Sequence, residues 1–130
     1  MQVTFKTTAH YGKGRSWTAP LPFEIFTRIA GQGKKNIIMY VNFPEKYDFN
    51  AKVPLEWDIN GAEPGELLTT SNGSYCANKI FKVTIPMIIA ERYHGKRVKI
   101  IVTTNIPKKP KTGYEVGTPI SLKWSLAKED

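Results

Sequence analysis

Basic side chains are the residues of this sequence whose number and spacing could do chemistry. The 130 residues hold 19 Lys and Arg against 11 Asp and Glu, a formal charge of +8. A nucleic-acid backbone is bound by several such side chains on one surface, which release its counterions. The candidate phosphate contacts are Lys13, Arg15, Lys96, Arg97, Lys99, Lys108, Lys109 and Lys111. Aromatic side chains stack on bases where they are exposed, and the candidates for this role are Tyr11, Trp17 and Tyr114.

The positive charge is unevenly distributed along the chain. Residues 1–44 carry six basic residues and one acidic residue, whereas residues 45–66 carry two basic and six acidic residues. Residues 67–114 carry nine basic residues and one acidic residue, and residues 115–130 carry two basic and three acidic residues. Two basic stretches therefore flank an acidic one, and the sequence leaves open whether the basic stretches share one face.

Residues of catalytic or metal-binding type are few and scattered. Cys76 is the single cysteine, so an internal disulfide and a cysteine-rich zinc site are excluded. His10 and His94 lie in different segments, and no carboxylate is spaced to orient either one. We predict structural or solvated roles for all three, and no catalytic residue, metal site or cofactor.

The acidic segment has two interpretations. Asp48, Glu56 and Asp58 could act as an acid and a base, or Glu56 and Asp58 could ligate a metal from one face of a strand. A solvated acidic face, or ion pairs with a neighbouring basic patch, is the simpler interpretation. Gly12–Ser16 resembles a phosphate-binding loop but lacks its spacing, which favours a hairpin turn over a backbone contact with phosphate.

The elements that must position these residues are mostly short strands. Alternating and β-branched runs predict seven or eight strands, and two short helices begin after Pro22 and Pro86. Turn-forming residues predict turns at Asn60–Gly61, at residues 63–66 and at residues 71–74. The chain has the length of one domain. We therefore predict a mainly β fold, a single closed β-barrel of the double-split or double-psi kind with two short helices.

An internal repeat underlies this prediction. In each copy a strand ends in an aliphatic residue and proline, a short helix follows, and a glycine stands nine residues after the proline. Pro22 and Gly31 belong to the first copy, and Pro86 and Gly95 to the second, so the copies are 64 residues apart. Basic residues and an aliphatic strand follow each glycine. The predicted repeat units are residues 1–43 and 66–104, and residues 105–130 are a C-terminal extension.

The second copy resembles a known family of DNA-binding domains. Lys82-Val83-Thr84-Ile85-Pro86, followed by a helix, Gly95 and the strand to Val102, is similar to the repeating unit of AbrB/MazE-like domains. Two such units intertwine there into a double-split β-barrel, which implies the same barrel here from one chain. The order of motifs also resembles a bacterial family of single-chain double-split barrels of unknown function. The matching residues are Gly14, Trp17, Leu21-Pro22, Asn60-Gly61 and Asn72-Gly73-Ser74-Tyr75.

Three classes of function remain open. The first hypothesis is a non-enzymatic nucleic-acid-binding protein, with DNA favoured over RNA, that contacts phosphates through basic loops. The alternative is a protein-interaction or structural module, of a phage-like or assembly kind, in which segment 45–66 meets segment 67–114 of the next molecule. An enzyme is the third, and no nucleophile stands near a base to support it.

The sequence also predicts a location. No apolar run approaches the ~18 residues of a membrane helix, and the first ten residues lack a signal-peptide core. We therefore expect an intracellular protein without a membrane partner, and a homo-oligomer is possible.

Overall fold

Eight strands and two helices make up the computed structural model, which describes residues 3–12, 15–30, 34–59 and 63–127. In chain order they are β1 (Thr4–Tyr11), β2 (Trp17–Leu21), α1 (Phe23–Ile29), β3 (Lys34–Asn42), β4 (Lys52–Asp58), β5 (Pro64–Cys76), β6 (Ile80–Ile85), α2 (Met87–Arg92), β7 (Arg97–Asn105) and β8 (Pro119–Ala127). The prediction of a mainly β chain with two short helices is confirmed. Neither described helix has the length and apolar character needed to cross a bilayer.

The strands close into one antiparallel barrel in the order β1-β2-β6-β5-β8-β7-β3-β4. The predicted closed barrel is therefore confirmed. The first half of the chain supplies the sheet β2-β1-β4-β3, and the second half supplies β6-β5-β8-β7. The two sheets join edge to edge along two seams, β2 with β6 and β3 with β7. Because β8 pairs with both β5 and β7, the expectation that residues 105–130 form an extension is wrong.

The two halves of the barrel follow one plan. Tyr11 pairs with Trp17 in the hairpin β1–β2, and Tyr75 pairs with Phe81 in the hairpin β5–β6. Both members of the second pair stand 64 residues after those of the first. The same correspondence holds at the far side of each sheet, where β1 pairs with β4 and β5 pairs with β8. The duplication thus includes β4 and β8, which the sequence interpretation left out.

The tryptophans of β4 and β8 are the clearest sign of this duplication. Trp57 and Trp124 are both fully buried. The indole Nε1 of Trp57 donates to Thr7 Oγ1 at 2.7 Å, and that of Trp124 donates to Ser71 Oγ at 2.6 Å. Thr7 and Ser71 occupy matching positions on β1 and β5. In each half the same hydrogen bond therefore joins the two central strands of the sheet, β1 to β4 and β5 to β8.

Each end of the barrel is covered by a helix from one half and aromatic rings from the other. We call them the α1 end and the α2 end. At the α1 end, Phe26 of α1 stacks on Phe81 with ring centroids 3.5 Å apart. At the α2 end, the hydroxyl of Tyr47 donates to the carbonyl oxygen of Ala90 in α2. The helices therefore lock the two halves together across the seams.

Strand β5 differs most from its prediction. The turns expected at residues 63–66 and 71–74 are wrong, since β5 is continuous over 13 residues with register shifts near Leu67. Gly73 lies inside the strand, and this position requires glycine because an added Cβ would run into the backbone carbonyl oxygen of Lys82 on β6. The hairpin turn falls instead at residues 77–79, where Asn78 and Lys79 have φ of 66° and 62°. The turn expected at Asn60–Gly61 lies outside the described residues.

Candidate nucleic-acid interface

The predicted phosphate contacts fall into three separate places. Lys96 and Arg97 stand at the start of β7, whereas Lys108, Lys109 and Lys111 follow its end. Nine residues of extended strand at roughly 3.3 Å per residue hold the two groups about 26 Å apart. The predicted phosphate contacts are therefore divided among the two opposite ends of the barrel and its outer wall.

The α2 end is close to electrically balanced. Its described basic residues are Arg15, Lys46, Lys52, Arg92 and Lys96, and its described acidic residues are Glu45, Asp48, Glu66 and Glu91. Nη2 of Arg92 donates a hydrogen bond to Oε2 of Glu66 at 3.2 Å, and this hydrogen bond raises the pKa of the guanidinium. Lys13, which the sequence places beside Arg15, lies outside the described residues. Arg15 and Lys96 are exposed, and the end to which they belong carries nearly as many acidic as basic residues.

Arg97 and Lys99 belong to the outer wall of the barrel. Both cationic groups lie over the ring of Tyr40, at 5.9 and 5.8 Å from its centroid. The carboxylate of Glu56 faces the same part of the wall. Its Oε2 lies 3.5 Å from Nη2 of Arg97, and its Oε1 lies 4.0 Å from Nζ of Lys6. An open hollow of about 260 Å³ is lined by Lys6, Tyr40, Glu56 and Arg97 but not by Lys99. The carboxylate of Glu56 offsets part of the positive charge here, so this wall is a weaker anion site than its basic residues indicate.

The α1 end gathers most of the remaining positive charge. The elements that meet there are α1, the start of β3, the β5–β6 turn, the start of β6 and the β7–β8 loop. Among the described residues they carry two acids, Glu24 and Glu115. They carry six described basic side chains, namely Arg28, Lys79, Lys82, Lys108, Lys109 and Lys111.

The β7–β8 loop, residues 106–118, shapes this end. It encloses a hollow of about 370 Å³ whose lining includes Lys108 and Tyr114. Tyr114 packs against Phe81 at 5.0 Å between ring centroids, and its hydroxyl donates to the carbonyl oxygen of Pro107 at 2.9 Å. Burial raises the pKa of Tyr114, so the hydroxyl keeps the proton that this hydrogen bond needs. The loop that bears these lysines is therefore anchored to the core through Tyr114.

Of the three predicted stacking residues, Trp17 is fully buried. It packs against Tyr11 and Phe43 inside the α2 end, so the prediction that it stacks on bases is wrong. The local alternation of β2 does not reveal which of its faces is covered by a helix from the other half. Tyr11 is half-buried in the same cluster, and Tyr114 is half-buried at the α1 end.

The sequence interpretation missed Phe23, Lys79 and Lys82 as residues of the α1 end. The duplication contains the signal that could have found one of them. Arg15 and Lys79 stand 64 residues apart at the tips of matching hairpins, and both have positive φ, 59° and 62°. A basic residue at each tip is thus a property of the repeated unit.

The candidate chemical residues are dispersed. The described residues contain no group of three or more His, Cys, Asp or Glu placed to hold a metal. Asp58 is buried on the outer wall opposite Ile38, while Glu56 stays half-exposed on the same strand. His94 packs edge-on against Tyr47 with ring centroids 5.1 Å apart. No family model, curated protein or solved structure matched the chain, so the interface is defined by geometry and charge.

Proposed function

We propose that this protein binds nucleic acid, with DNA as its first candidate ligand, through the α1 end of the barrel and without catalysing a reaction on it. The observation that carries the proposal is the unequal charge of two ends built on one plan. Among the described side chains, the α1 end holds six basic residues against two acidic ones, whereas the α2 end holds five against four.

A polyanion favours such an end for a physical reason. Each Lys or Arg that neutralises a phosphate releases condensed counterions, so several of them on one surface bind far more strongly than the same charges scattered. Lys108, Lys109 and Lys111 lie within four residues of one loop, and Lys79 reaches the same end from another turn. A barrel end of this kind contacts backbone phosphates without reading a particular base.

The test compares two variants of equal net charge. The first changes Lys108, Lys109 and Lys111 to Gln at the α1 end. The second is the matched control, with Lys46, Lys52 and Lys96 changed to Gln at the α2 end. Fluorescence anisotropy with a labelled DNA is recorded from about 50 to about 300 mM salt. We expect the first variant to lower the slope of log K against log salt by about 2 to 3, from roughly 0.7 to 0.9 per lost phosphate contact.

The control variant should keep nearly the wild-type slope. Equal losses in both variants would mean that net charge alone attracts the DNA, and the α1 end would then not be the site. Absence of binding by the wild-type protein at low salt would contradict the function itself.

The four described acidic residues of the α2 end, against two at the α1 end, favour one second candidate, a self-assembling structural module. The acidic residues of the α2 end on one molecule could pair with the basic α1 end of the next, and such a head-to-tail contact leads to open chains of molecules. Light scattering after size exclusion, without nucleic acid, tests it. A mass that grows with concentration and falls with added salt would favour assembly over nucleic-acid binding.

A further inference from the structure

Phe23, the first residue of α1, has an unusual environment at the α1 end. It is half-buried, and the Nζ atoms of Lys79 and Lys109 lie 6.0 and 5.9 Å from the centroid of its ring. Phe23 belongs to the first half of the chain, whereas both lysines belong to the second. Two ammonium groups from separate loops thus converge on one aromatic ring.

The two lysines converge without a compensating acid. None of the described carboxylates lies within ion-pair distance of Lys79 or Lys109. Their distances from one ring centroid put the two Nζ atoms at most about 12 Å apart, so an anion near the ring is attracted by both. A phosphate is such an anion, and the ring beside it supplies a flat apolar face. Phosphate and base are joined in every nucleotide, so the pair of lysines and the ring fit the two parts of one nucleotide.

Further apolar surface is exposed on the elements of the α1 end. Ile80 is 38% exposed at the start of β6, and Val116 is 73% exposed in the β7–β8 loop. A duplex hides the faces of its bases by stacking them on each other, so apolar side chains next to its phosphates gain little. A single strand leaves those faces open, and base–aromatic stacking then adds to the binding of phosphates.

The α2 end provides an internal comparison. By the spacing of 64 residues, Arg15 stands there in place of Lys79, and Met87 stands in place of Phe23. The barrel thus keeps a basic residue at both hairpin tips but an aromatic residue at only one of these two helix starts. We infer that the α1 end takes single-stranded nucleic acid and that Phe23 stacks on a base beside a phosphate held by Lys79 and Lys109. The inference rests on the proposed function.

The test uses the full chain and two probes, a labelled single-stranded DNA about 15 nucleotides long and the duplex of the same length, near the upper site size of such proteins. Phe23→Leu removes the aromatic face without changing charge. Phe49→Leu is the matched control, because Phe49 is 55% exposed at the α2 end. We expect Phe23→Leu to weaken single-strand binding about 5- to 150-fold, the measured range for loss of one stacked base. Its salt dependence and its duplex binding should stay unchanged.

Phe23→Tyr keeps the aromatic face and should bind the single strand within about twofold of wild type. It also keeps the inference testable if the leucine variant loses its circular-dichroism signature. Unchanged single-strand binding by folded Phe23→Leu, or lost single-strand binding by folded Phe23→Tyr, would overturn the role of Phe23. A wild-type protein that binds the duplex as tightly as the single strand would overturn the ligand class and leave the proposed function standing. If neither probe binds, both proposals fail.

Discussion

The buried hydrogen bonds of Trp57 and Trp124 should contribute equally to stability if the two halves of the barrel are equivalent. Trp57→Phe keeps a six-membered ring in the core and removes the indole donor to Thr7 Oγ1. A net hydrogen bond is worth about 0.5 to 1.5 kcal/mol, and the smaller ring leaves a void that adds to this cost. We expect a loss of about 2 to 4 kcal/mol in the free energy of unfolding.

A double-mutant cycle isolates the hydrogen bond from the void. Thr7→Val removes the acceptor at nearly constant volume, so Trp57→Phe combined with Thr7→Val should show a coupling energy of about 1 kcal/mol. The cycle of Trp124→Phe with Ser71→Ala should give a similar coupling. Ser71→Ala should cost more than Thr7→Val as a single change, because Ser71 Oγ also donates to the carbonyl oxygen of Thr84 at 3.1 Å.

Urea unfolding followed by far-ultraviolet circular dichroism measures these energies without depending on tryptophan fluorescence. For 130 residues the unfolding entropy is about 0.27 kcal/mol/K, so each kcal/mol moves Tm by about 4 °C. Coupling energies near zero in both cycles would refute the role of the indole donors. A coupling in only one of them would refute the equivalence of the halves.

Three further changes test other parts of the structure. Gly73→Ala should lower the free energy of unfolding by about 1 to 3 kcal/mol, because its Cβ has no room beside the backbone of Lys82, and an unchanged urea midpoint would contradict this close approach. Glu56→Gln removes the carboxylate 3.5 Å from Arg97 on the exposed wall, so stability should change by less than about 1 kcal/mol. DNA affinity in the anisotropy assay should stay the same, and a clear increase would show that the wall belongs to the interface. Burial, and secondarily the charge of Glu91, raise the pKa of Tyr47, so its contribution to stability is complete below pH 10 and is lost as the pH rises through that raised pKa. Urea midpoints between about pH 8 and pH 11 should therefore fall more steeply for wild type than for Tyr47→Phe, and parallel curves would contradict this.

The second repeat unit could be predicted from sequence because its signals are local. In β7, Ile100 and Val102 belong to the main core and Ile101 to a second buried cluster, and Pro86 and Gly95 mark the limits of the α2 region, where Gly95 adopts a φ of 71°. The continuity of β5 could not be predicted in this way. Its Ser, Asn and Gly residues have the composition of a turn. Gly73 is needed instead for the close approach of β6, and only the tertiary pairing reveals that neighbour.

The candidate site shows the same division. The sequence by itself determined the number of charges and their order along the chain, and its short-range periodicity and its repeat at a spacing of 64 residues predicted a closed barrel. Only the tertiary structure decided that Lys96 and Lys108 face opposite ends, that Trp17 is covered, and that Phe23 meets lysines from the other half. The physical reason is that strand length separates neighbours in sequence, while the pairing of two halves brings distant residues together.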